Sequence, residues 1–127
     1  MMGKILVVED NPDIRELMHI YFKYAGFIVV AAEDGEEGLD LAKTEKPDVI
    51  ITDLSMPNMD GITLIKQLRI MPQTASIPIL VCTANTTVAS AQIVEIGANK
   101  VLYKPIDFDV LVKIIWIVIT PSVNFTC

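Results

Sequence analysis

Five short apolar runs, each followed by a segment with helical spacing of apolar residues, repeat along the chain. The first run, Ile5-Leu6-Val7-Val8, is continuous and rich in β-branched residues, which is typical of a strand buried on both faces of a parallel sheet. Asn11-Pro12 then supplies a side-chain cap and a proline suited to the first helical position. Because parallel strands need crossover connections, this alternation predicts an α/β fold with one parallel sheet and helices on both faces.

The same cycle predicts four more strands, at 27–31, 49–51, 79–82 and 101–103. The helices are predicted to begin at Pro12, Asp34, Asp60, Thr87 and either Asp107 or Asp109. The fourth helix should span 87–96, with Asn85 or Thr86 available to cap it, and the fifth should run to about 119. In the first helix, the residues expected to lie on the apolar side are Ile14, Leu17, Met18, Tyr21 and Ala25. We expect one domain over 1–120 and a tail over 121–127.

Charge and composition exclude several classes of function. The chain has 127 residues and a net charge of −6, which argues against direct binding to nucleic acid. Its apolar content of 52% is ample for a packed core and excludes disorder. Cys82 and Cys127 are too few for a disulfide scaffold, and Cys82 lies inside an apolar run, so we expect it to be buried. The sequence shows neither a signal peptide nor a membrane span, so the cytoplasm is the expected compartment.

Chemically active side chains follow four of the predicted strands at the same end. Glu9 and Asp10 follow the first strand, Asp53 the third, Thr83 the fourth and Lys104 the fifth. In open parallel sheets, ligands bind outside the carboxyl ends of the strands, where the strand order reverses. If the first and third strands are neighbours, three carboxylates face one another across that crevice.

Each of these side chains also has an ordinary structural explanation. Glu9, Asp10 and Thr83 could cap helices, Asp53 could satisfy turn amides, and Lys104 could be a surface lysine. Other residues already suit those capping positions, and a proline follows the lysine directly at a strand end. We therefore favour a shared site, whereas Asp60 is interpreted as a helix cap.

Three crowded carboxylates raise each other's pKa, and a divalent cation removes that conflict. Oxygen ligands without histidine or cysteine favour Mg²⁺. With a lysine and a hydroxyl nearby, such a site suits a transferring phosphoryl group, and Asp53 is the most central candidate for a nucleophile that forms an aspartyl-phosphate. The glycine-rich loops that cradle nucleotides are missing from the sequence.

These residues resemble the receiver domain of two-component response regulators, over residues 4 to about 119. Single pieces of the match are weak, but all occur in order, each at the end of a predicted strand. The matching pieces are Ile5-Leu6-Val7-Val8-Glu9-Asp10-Asn11, Asp53-Leu54-Ser55-Met56-Pro57-Asn58-Met59-Asp60-Gly61, Thr83-Ala84, Gly97-Ala98 and Lys104-Pro105. The resemblance implies a flavodoxin-like sheet of strand order 2-1-3-4-5, which places the first and third strands side by side.

The resemblance also implies a function for each residue. Asp53 would accept a phosphoryl group from a histidine kinase or a histidine phosphotransfer protein, in a signalling domain that assists its own phosphorylation and dephosphorylation. Thr83 would hydrogen-bond the transferred group, and Lys104, with a cis bond to Pro105, would pair with it. The response would switch the face formed by the fourth helix, fifth strand and fifth helix. The ligands implied for Mg²⁺ are Glu9, Asp10, Asp53 and the backbone carbonyl of Ser55.

One position departs from the family pattern. Receivers usually carry Tyr or Phe three residues before the lysine, where the ring changes rotamer together with the threonine, but this chain has Val101 there. Tyr103 shares the parity of Val101 and should lie on the same face of the strand, about 6–7 Å further along. Whether Tyr103 takes the place of the missing aromatic ring is left open by the sequence.

Two other classes of function compete with the signalling interpretation. A Mg²⁺-dependent phosphohydrolase would use Asp53 as a turnover nucleophile, but Ser55 occupies the position where a general acid would be needed, and the sequence holds no cap insertion. A receiver-like module that binds partners without phosphorylation would not need the complete set of site residues.

The last predicted helix is apolar around most of its circumference. Phe108, Leu111, Ile114, Ile115 and Val118 can face the sheet, which leaves Val112, Trp116 and Ile119 pointing elsewhere. A second covered face suggests a homodimer or a downstream output domain, and the 121–127 tail is the alternative cover.

Overall fold

Five parallel strands form one sheet in the order β2-β1-β3-β4-β5 in the computed structural model, which describes residues 3–120. The strands are β1 (Lys4–Val8), β2 (Ile28–Ala32), β3 (Val49–Thr52), β4 (Ile79–Thr83) and β5 (Lys100–Tyr103). The helices are α1 (Pro12–Tyr24), α2 (Gly35–Glu45), α3 (Gly61–Ile70), α4 (Ser90–Ile96) and α5 (Phe108–Ile119). The predicted α/β class and strand order are confirmed. The predicted tail, 121–127, lies outside the described residues.

Alternate residues of the central strands pack into two separate apolar layers. On β1, Leu6 and Val8 contact the layer formed with α2, α3 and α4, whereas Ile5 and Val7 contact the layer formed with α1 and α5. All four side chains are at most 1% exposed. Since successive side chains of a strand point to opposite faces, a strand buried on both sides must be apolar throughout, as the sequence of β1 is.

Several helices begin where their capping residues predict. The Asn11 side chain accepts hydrogen bonds from the backbone N–H groups of Asp13 and Ile14, and Pro12 occupies the first turn. The Asp60 side chain likewise accepts from the N–H of Thr63, so its interpretation as a helix cap is confirmed. These caps satisfy N–H groups that have no partner within the helix.

The predicted start of the fourth helix is wrong by three residues. The Asn85 carboxamide accepts hydrogen bonds from the backbone N–H of Thr87 at 2.9 Å and from its hydroxyl at 2.6 Å. This local side-chain turn competes with helix formation, as such turns do for Asn and Thr. The helix starts only at Ser90, and Ala89, not Asn85 or Thr86, occupies the cap position without a side-chain hydrogen bond.

The apolar stripe of α1 is also rotated relative to the prediction. Leu17 is 52% exposed, whereas Phe22 is fully buried beside Met18. Leu17 falls at the edge of the stripe that Ile14, Met18 and Phe22 form at successive intervals of four residues, and only the packed structure shows on which side the stripe ends. The assignment of Leu17 to the core is therefore corrected.

Two residues of α5 were also misplaced. Val112 and Ile119 are half-buried and pack against the layer formed with α1, rather than pointing away from it. Trp116 is 41% exposed and packs against Phe27, with ring centroids 4.8 Å apart and the ring planes tilted by 35°. Among residues 3–120, no helix combines the length and apolarity that a membrane span requires.

Cys82 is buried in the α1–α5 layer, as predicted, and burial raises the pKa of its thiol to about 12. At a pH near 8, this leaves roughly a thousandfold less thiolate than in the unfolded chain, and the thiolate is the reactive form. We expect the Cys127→Ser variant to resist a thiol reagent when folded and to react fully in guanidinium chloride. The extent of labelling is followed by intact mass. If the folded variant reacted as fast as the unfolded one, the expected protection of Cys82 would be contradicted.

Candidate functional site

The sheet order brings the ends of β1 and β3 together. Val8 and Thr52, the last residues of the two strands, are register partners, so Glu9 and Asp53 follow side by side. The N–H of Asp53 donates to the carbonyl of Val8 at 3.3 Å. The predicted neighbourhood of the acids from the first and third strands is confirmed.

Asp53 is only 8% exposed, and its two carboxylate oxygens have different surroundings. Oδ1 accepts a hydrogen bond from the backbone N–H of Leu54 at 2.6 Å and a longer one from that of Ser55 at 3.4 Å. Oδ2 accepts from the Nζ of Lys104 at 2.8 Å. One oxygen is thus fixed by the backbone that follows β3, and the other faces a cation.

Lys104 directly follows β5, and its side chain reaches the acids that follow β1 and β3. Its Nζ also donates to Oε1 of Glu9 at 2.8 Å, so one ammonium group bridges two carboxylates. The Lys104–Pro105 peptide bond is cis, as the resemblance implied. Burial by itself would lower the pKa of Lys104, but the hydrogen bonds with Asp53 and Glu9 outweigh it, and the net shift is upward. The amine is therefore protonated at neutral pH.

Glu9 is 3% exposed, and its environment disfavours its charged form, whereas that of Lys104 favours the charged form. Burial raises the pKa of its carboxyl group, and the charge of Asp53 adds to this effect. The hydrogen bonds from Lys104 and from the N–H of Asn11 act in the other direction, but they do not cancel it. A carboxylate that is costly to ionise in isolation is one that an added cation would stabilise.

Three carboxylates converge at this place. Glu9, Asp10 and Asp53 each offer an oxygen, and these atoms lie within 4.8 Å of one another. Glu9 and Asp53 are buried, whereas Asp10 is exposed and closes the cluster from the solvent side. The lysine offsets only one of three negative charges, and the donors are all carboxylate oxygens, which is a set that Mg²⁺ accepts.

The remaining predicted residues lie around this cluster. Ser55 is exposed in the loop that follows Asp53, and its backbone N–H lies 3.4 Å from Oδ1 of Asp53. Thr83 is fully buried at the end of β4, and its hydroxyl accepts from the N–H of Asn85 at 3.0 Å. The main chain of Thr83 also accepts from the N–H of Lys104 at 2.9 Å.

The valine at the usual aromatic position and the tyrosine two residues later have different surroundings. Val101 is half-buried against the layer formed with α2, α3 and α4. Tyr103 is 41% exposed and is the register partner of Thr83 on the neighbouring strand. Val101 has only a short branched side chain, so it provides no aromatic ring that could change rotamer together with the threonine.

Sequence reasoning assigned no role to two residues that shape the site. A Cβ on Gly61 would lie 2.1 Å from the carbonyl oxygen of Asp53, so the start of α3 can approach the site only with glycine there. The Arg15 guanidinium donates to the carbonyl of Glu9 at 2.8 Å from the first turns of α1. The glycine directly after a helix cap was a usable signal, whereas nothing in the sequence points Arg15 at Glu9.

Comparison with known proteins gives a consistent result. The family model described as response regulator receiver domain matches residues 5–116. The chain is 42% identical over 106 residues to the alkaline phosphatase synthesis transcriptional regulatory protein PhoP of Bacillus subtilis (strain 168). That match covers 83% of this chain and 43% of PhoP, so the chain spans less than half the length of this relative.

Solved structures match over almost the whole chain. The chemotaxis response regulator CheY4 of Vibrio cholerae is 35% identical with a TM-score of 0.85, and the match covers 93% of this chain and 99% of CheY4. The receiver domain of the sensor histidine kinase PA1611 of Pseudomonas aeruginosa PAO1, solved with a magnesium ion coordinated in its active site cleft, is 26% identical. Its TM-score is 0.87, with 95% and 100% of the two chains covered. Family model, relatives and fold agree, and the chain belongs to the response regulator receiver domain family.

Proposed function

We propose that Asp53 accepts a phosphoryl group from a phosphohistidine donor and that this reaction switches the α4–β5–α5 face. The single observation that carries the proposal is the position of the Lys104 amine, 2.8 Å from Asp53 Oδ2, beside the three converging carboxylates. Receiver domains of response regulators are signalling domains, so the donor would be a histidine kinase or a histidine phosphotransfer protein. Such a pairing is typical of proteins in the cytoplasm.

Mg²⁺ would be held by the side chains of Glu9, Asp10 and Asp53, with the backbone carbonyl of Ser55 as a further ligand. The oxygen-only donor set and its excess negative charge support this assignment. The magnesium ion in the cleft of the PA1611 receiver domain supports it by analogy. Bound Mg²⁺ would neutralise phosphoryl oxygens during transfer.

The side chains divide the chemistry between them. An Asp53 carboxylate oxygen attacks phosphorus, the bond from phosphorus to the donor imidazole nitrogen breaks, and that nitrogen keeps the electron pair and takes up a proton from solvent. Lys104 pairs with the phosphoryl oxygens, and the Thr83 hydroxyl donates a hydrogen bond to one of them. Later attack of water on phosphorus releases inorganic phosphate and restores the carboxylate, so the domain assists both steps.

Thr83 connects the site to the proposed output face. Its hydroxyl holds the N–H of Asn85, at the start of the loop that leads to α4. A hydroxyl drawn toward new phosphoryl oxygens would pull this loop with it and shift the populations of two arrangements of α4. On α5, the exposed residues Val110, Trp116 and Ile117 support a contact with a second copy or a downstream domain. Size measurement before and after labelling would separate these two partners.

The proposal is tested by incubating the protein with a small acyl phosphate, with Mg²⁺ or with a chelator, and measuring its intact mass. We expect the addition of one phosphoryl group in Mg²⁺ and little in chelator, followed by slow loss once the donor is removed. Absence of labelling in Mg²⁺ would contradict the proposal and favour a module that works without phosphorylation. Rapid multiple turnover of phosphate esters would favour a phosphohydrolase instead.

Mg²⁺ is expected to stabilise the folded protein. A concentration tenfold above the dissociation constant should raise the free energy of unfolding by about 1.4 kcal/mol, because only the folded state assembles the site. Asp10→Asn should weaken this effect and should unfold at a higher denaturant concentration than wild type in chelator, since one like charge is removed. Urea titrations with and without Mg²⁺ measure both. A control is Asp40→Asn, whose side chain is 78% exposed on α2, and equal Mg²⁺ effects in the two variants would exclude Asp10 as a ligand.

A further inference from the structure

The guanidinium group of Arg69, in the last turn of α3, joins several segments at the end of the molecule opposite the site. Its Nε donates to the carbonyl of Gly97, the residue that ends α4, at 3.0 Å. Its Nη1 donates to the carbonyls of Ile77 at 2.7 Å and Ala75 at 3.1 Å, in the connection from α3 to β4. Its Nη2 donates to the Asn99 side chain at 3.1 Å.

Asn99 extends this clamp into the sheet. Its side-chain oxygen also accepts from the backbone N–H of Ile79 at 2.8 Å, and its own N–H donates to the carbonyl of Ile79 at the same distance. Arg69 is therefore tied, through Asn99, to the first residue of β4 and to the start of β5. A planar, permanently charged group with five donors is suited to holding several carbonyls at once.

The carboxyl end of α4 also packs against the stem of the same arginine. Gly97 has a φ of 145°, a conformation that favours glycine, and a Cβ there would lie 2.7 Å from Cγ of Arg69. The N–H of Gly97 donates to the carbonyl of Val94 at 3.0 Å, which closes the last turn of the helix. A cation beside these carbonyls is favourable at a helix carboxyl end.

The amino end of α4 has fewer restraints than its carboxyl end, although Val88, the residue before its cap, is half-buried against the core. Ala89 provides no side-chain cap, and Ser90, Ala91 and Gln92 are exposed. Ile93, fully buried, is the first residue of the helix that packs into the core. The helix is thus held from its middle to its carboxyl end and weakly held at the end that follows Thr83.

We propose that Arg69 is a positioning residue for the switch: it anchors the carboxyl end of α4, so that phosphorylation swings the helix from its amino end. The proposal rests on the proposed function, in which Thr83 pulls the loop before α4. With Arg69 in place, the displacement is confined to the amino half of α4. Without it, the same pull would move the whole helix together with the start of β5.

Hydrogen exchange of the wild type and of Arg69→Met, followed by mass spectrometry before and after acyl-phosphate labelling in Mg²⁺, tests this. In unphosphorylated wild type, the amides of Gly97, Ala98 and Asn99 should exchange more slowly than those of Gln92 and Ile93. Phosphorylation should change exchange only in the second group. In Arg69→Met, which keeps the apolar stem, the first group should exchange about tenfold faster or more, because hydrogen bonds to a charged donor are lost. The change on phosphorylation should then spread through both groups.

Two further variants separate positioning from general loosening. Thr74→Ala removes a buried hydroxyl that donates to the carbonyl of Leu68 at 2.7 Å. It keeps the main-chain carbonyl at position 74, which accepts from Nη1 of Arg69 at 3.4 Å, and it leaves the contact of Arg69 with Gly97 unchanged. We expect this variant to have a lower free energy of unfolding than wild type. The change in hydrogen exchange on phosphorylation should still be limited to Gln92 and Ile93, as in wild type. Arg69→Lys keeps the positive charge but not the planar set of five donors. Its exchange rates at Gly97, Ala98 and Asn99 should therefore lie between those of wild type and those of Arg69→Met.

The outcomes distinguish the two proposals. Failure of the wild type to label would overturn the proposed function and the switch with it. Normal labelling of wild type and of Arg69→Met, with the same confined change in both, would overturn the inference alone. A change in exchange that extends through both groups of amides in Thr74→Ala as well as in Arg69→Met would also overturn it. Any loss of stability would then be enough to spread the change, without a specific contribution from Arg69.

Discussion

Asp53→Asn is expected to reduce phosphoryl incorporation from a small acyl phosphate to background in the presence of Mg²⁺. An amide oxygen is a weak nucleophile and carries no charge to share with a cation. The substitution keeps the shape of the side chain, so the bond from the N–H of Leu54 to Oδ1 can persist. The amide nitrogen, however, would face the Lys104 amine, which now lies 2.8 Å from Oδ2, and two donors cannot pair.

Intact mass over time, for wild type and variant at equal concentration, measures this result. Asp40→Asn is a control on the exposed side of α2 and should label as wild type does. Asp10→Asn keeps the nucleophile but removes one proposed metal ligand, so it should label more slowly without losing the reaction. Equal labelling of Asp53→Asn and wild type would place the acceptor elsewhere.

Phe22→Ala is expected to lower the free energy of unfolding by about 3–5 kcal/mol, the usual cost of emptying a buried aromatic position. That is a large share of the roughly 5–15 kcal/mol that stabilises a typical domain. The Phe22 ring is fully buried and lies 6.3 Å, centroid to centroid, from the ring of Phe108, so it joins α1 to α5. The cavity would open between two helices that cover the same face of the sheet.

The matched control is Leu17→Ala on the same helix. Leu17 is 52% exposed, and its loss should change the free energy of unfolding by no more than about 0.5 kcal/mol. Urea denaturation of both variants in chelator measures the difference without a contribution from Mg²⁺. Equal costs for the two substitutions would mean that the stripe of α1 is placed incorrectly.

The position of Tyr103 relative to Thr83 follows from the pairing of β4 with β5, and the sequence alone does not predict it. The alternation of side chains along a strand predicts that Tyr103 lies on the same face as Val101, but it does not predict which residue of the neighbouring strand lies beside Tyr103. In the structure, Tyr103 is the register partner of Thr83, while Val101 packs in the apolar layer. Tyr103 thus lies beside the threonine on the neighbouring strand, and it is 41% exposed whereas the threonine is fully buried.

The order of the elements and the location of the site were determined by the sequence itself. Apolar runs broken by Glu9, Asp53 and Lys104 indicate strands whose carboxyl ends carry the chemistry, and a parallel sheet places all those ends at one edge. Local caps at Asn11 and Asp60 are equally readable, because their partners lie within three residues.

Only the tertiary structure decided which partners these side chains meet. The Lys104 amine bridges Glu9 and Asp53 across 95 and 51 residues of sequence, and Arg69 reaches Gly97 across 28. The same holds for the side of α1 that is buried, where Phe22 and not Leu17 faces the sheet. Such contacts depend on how packed helices are rotated and on how far side chains reach, and a pattern along the chain contains neither quantity.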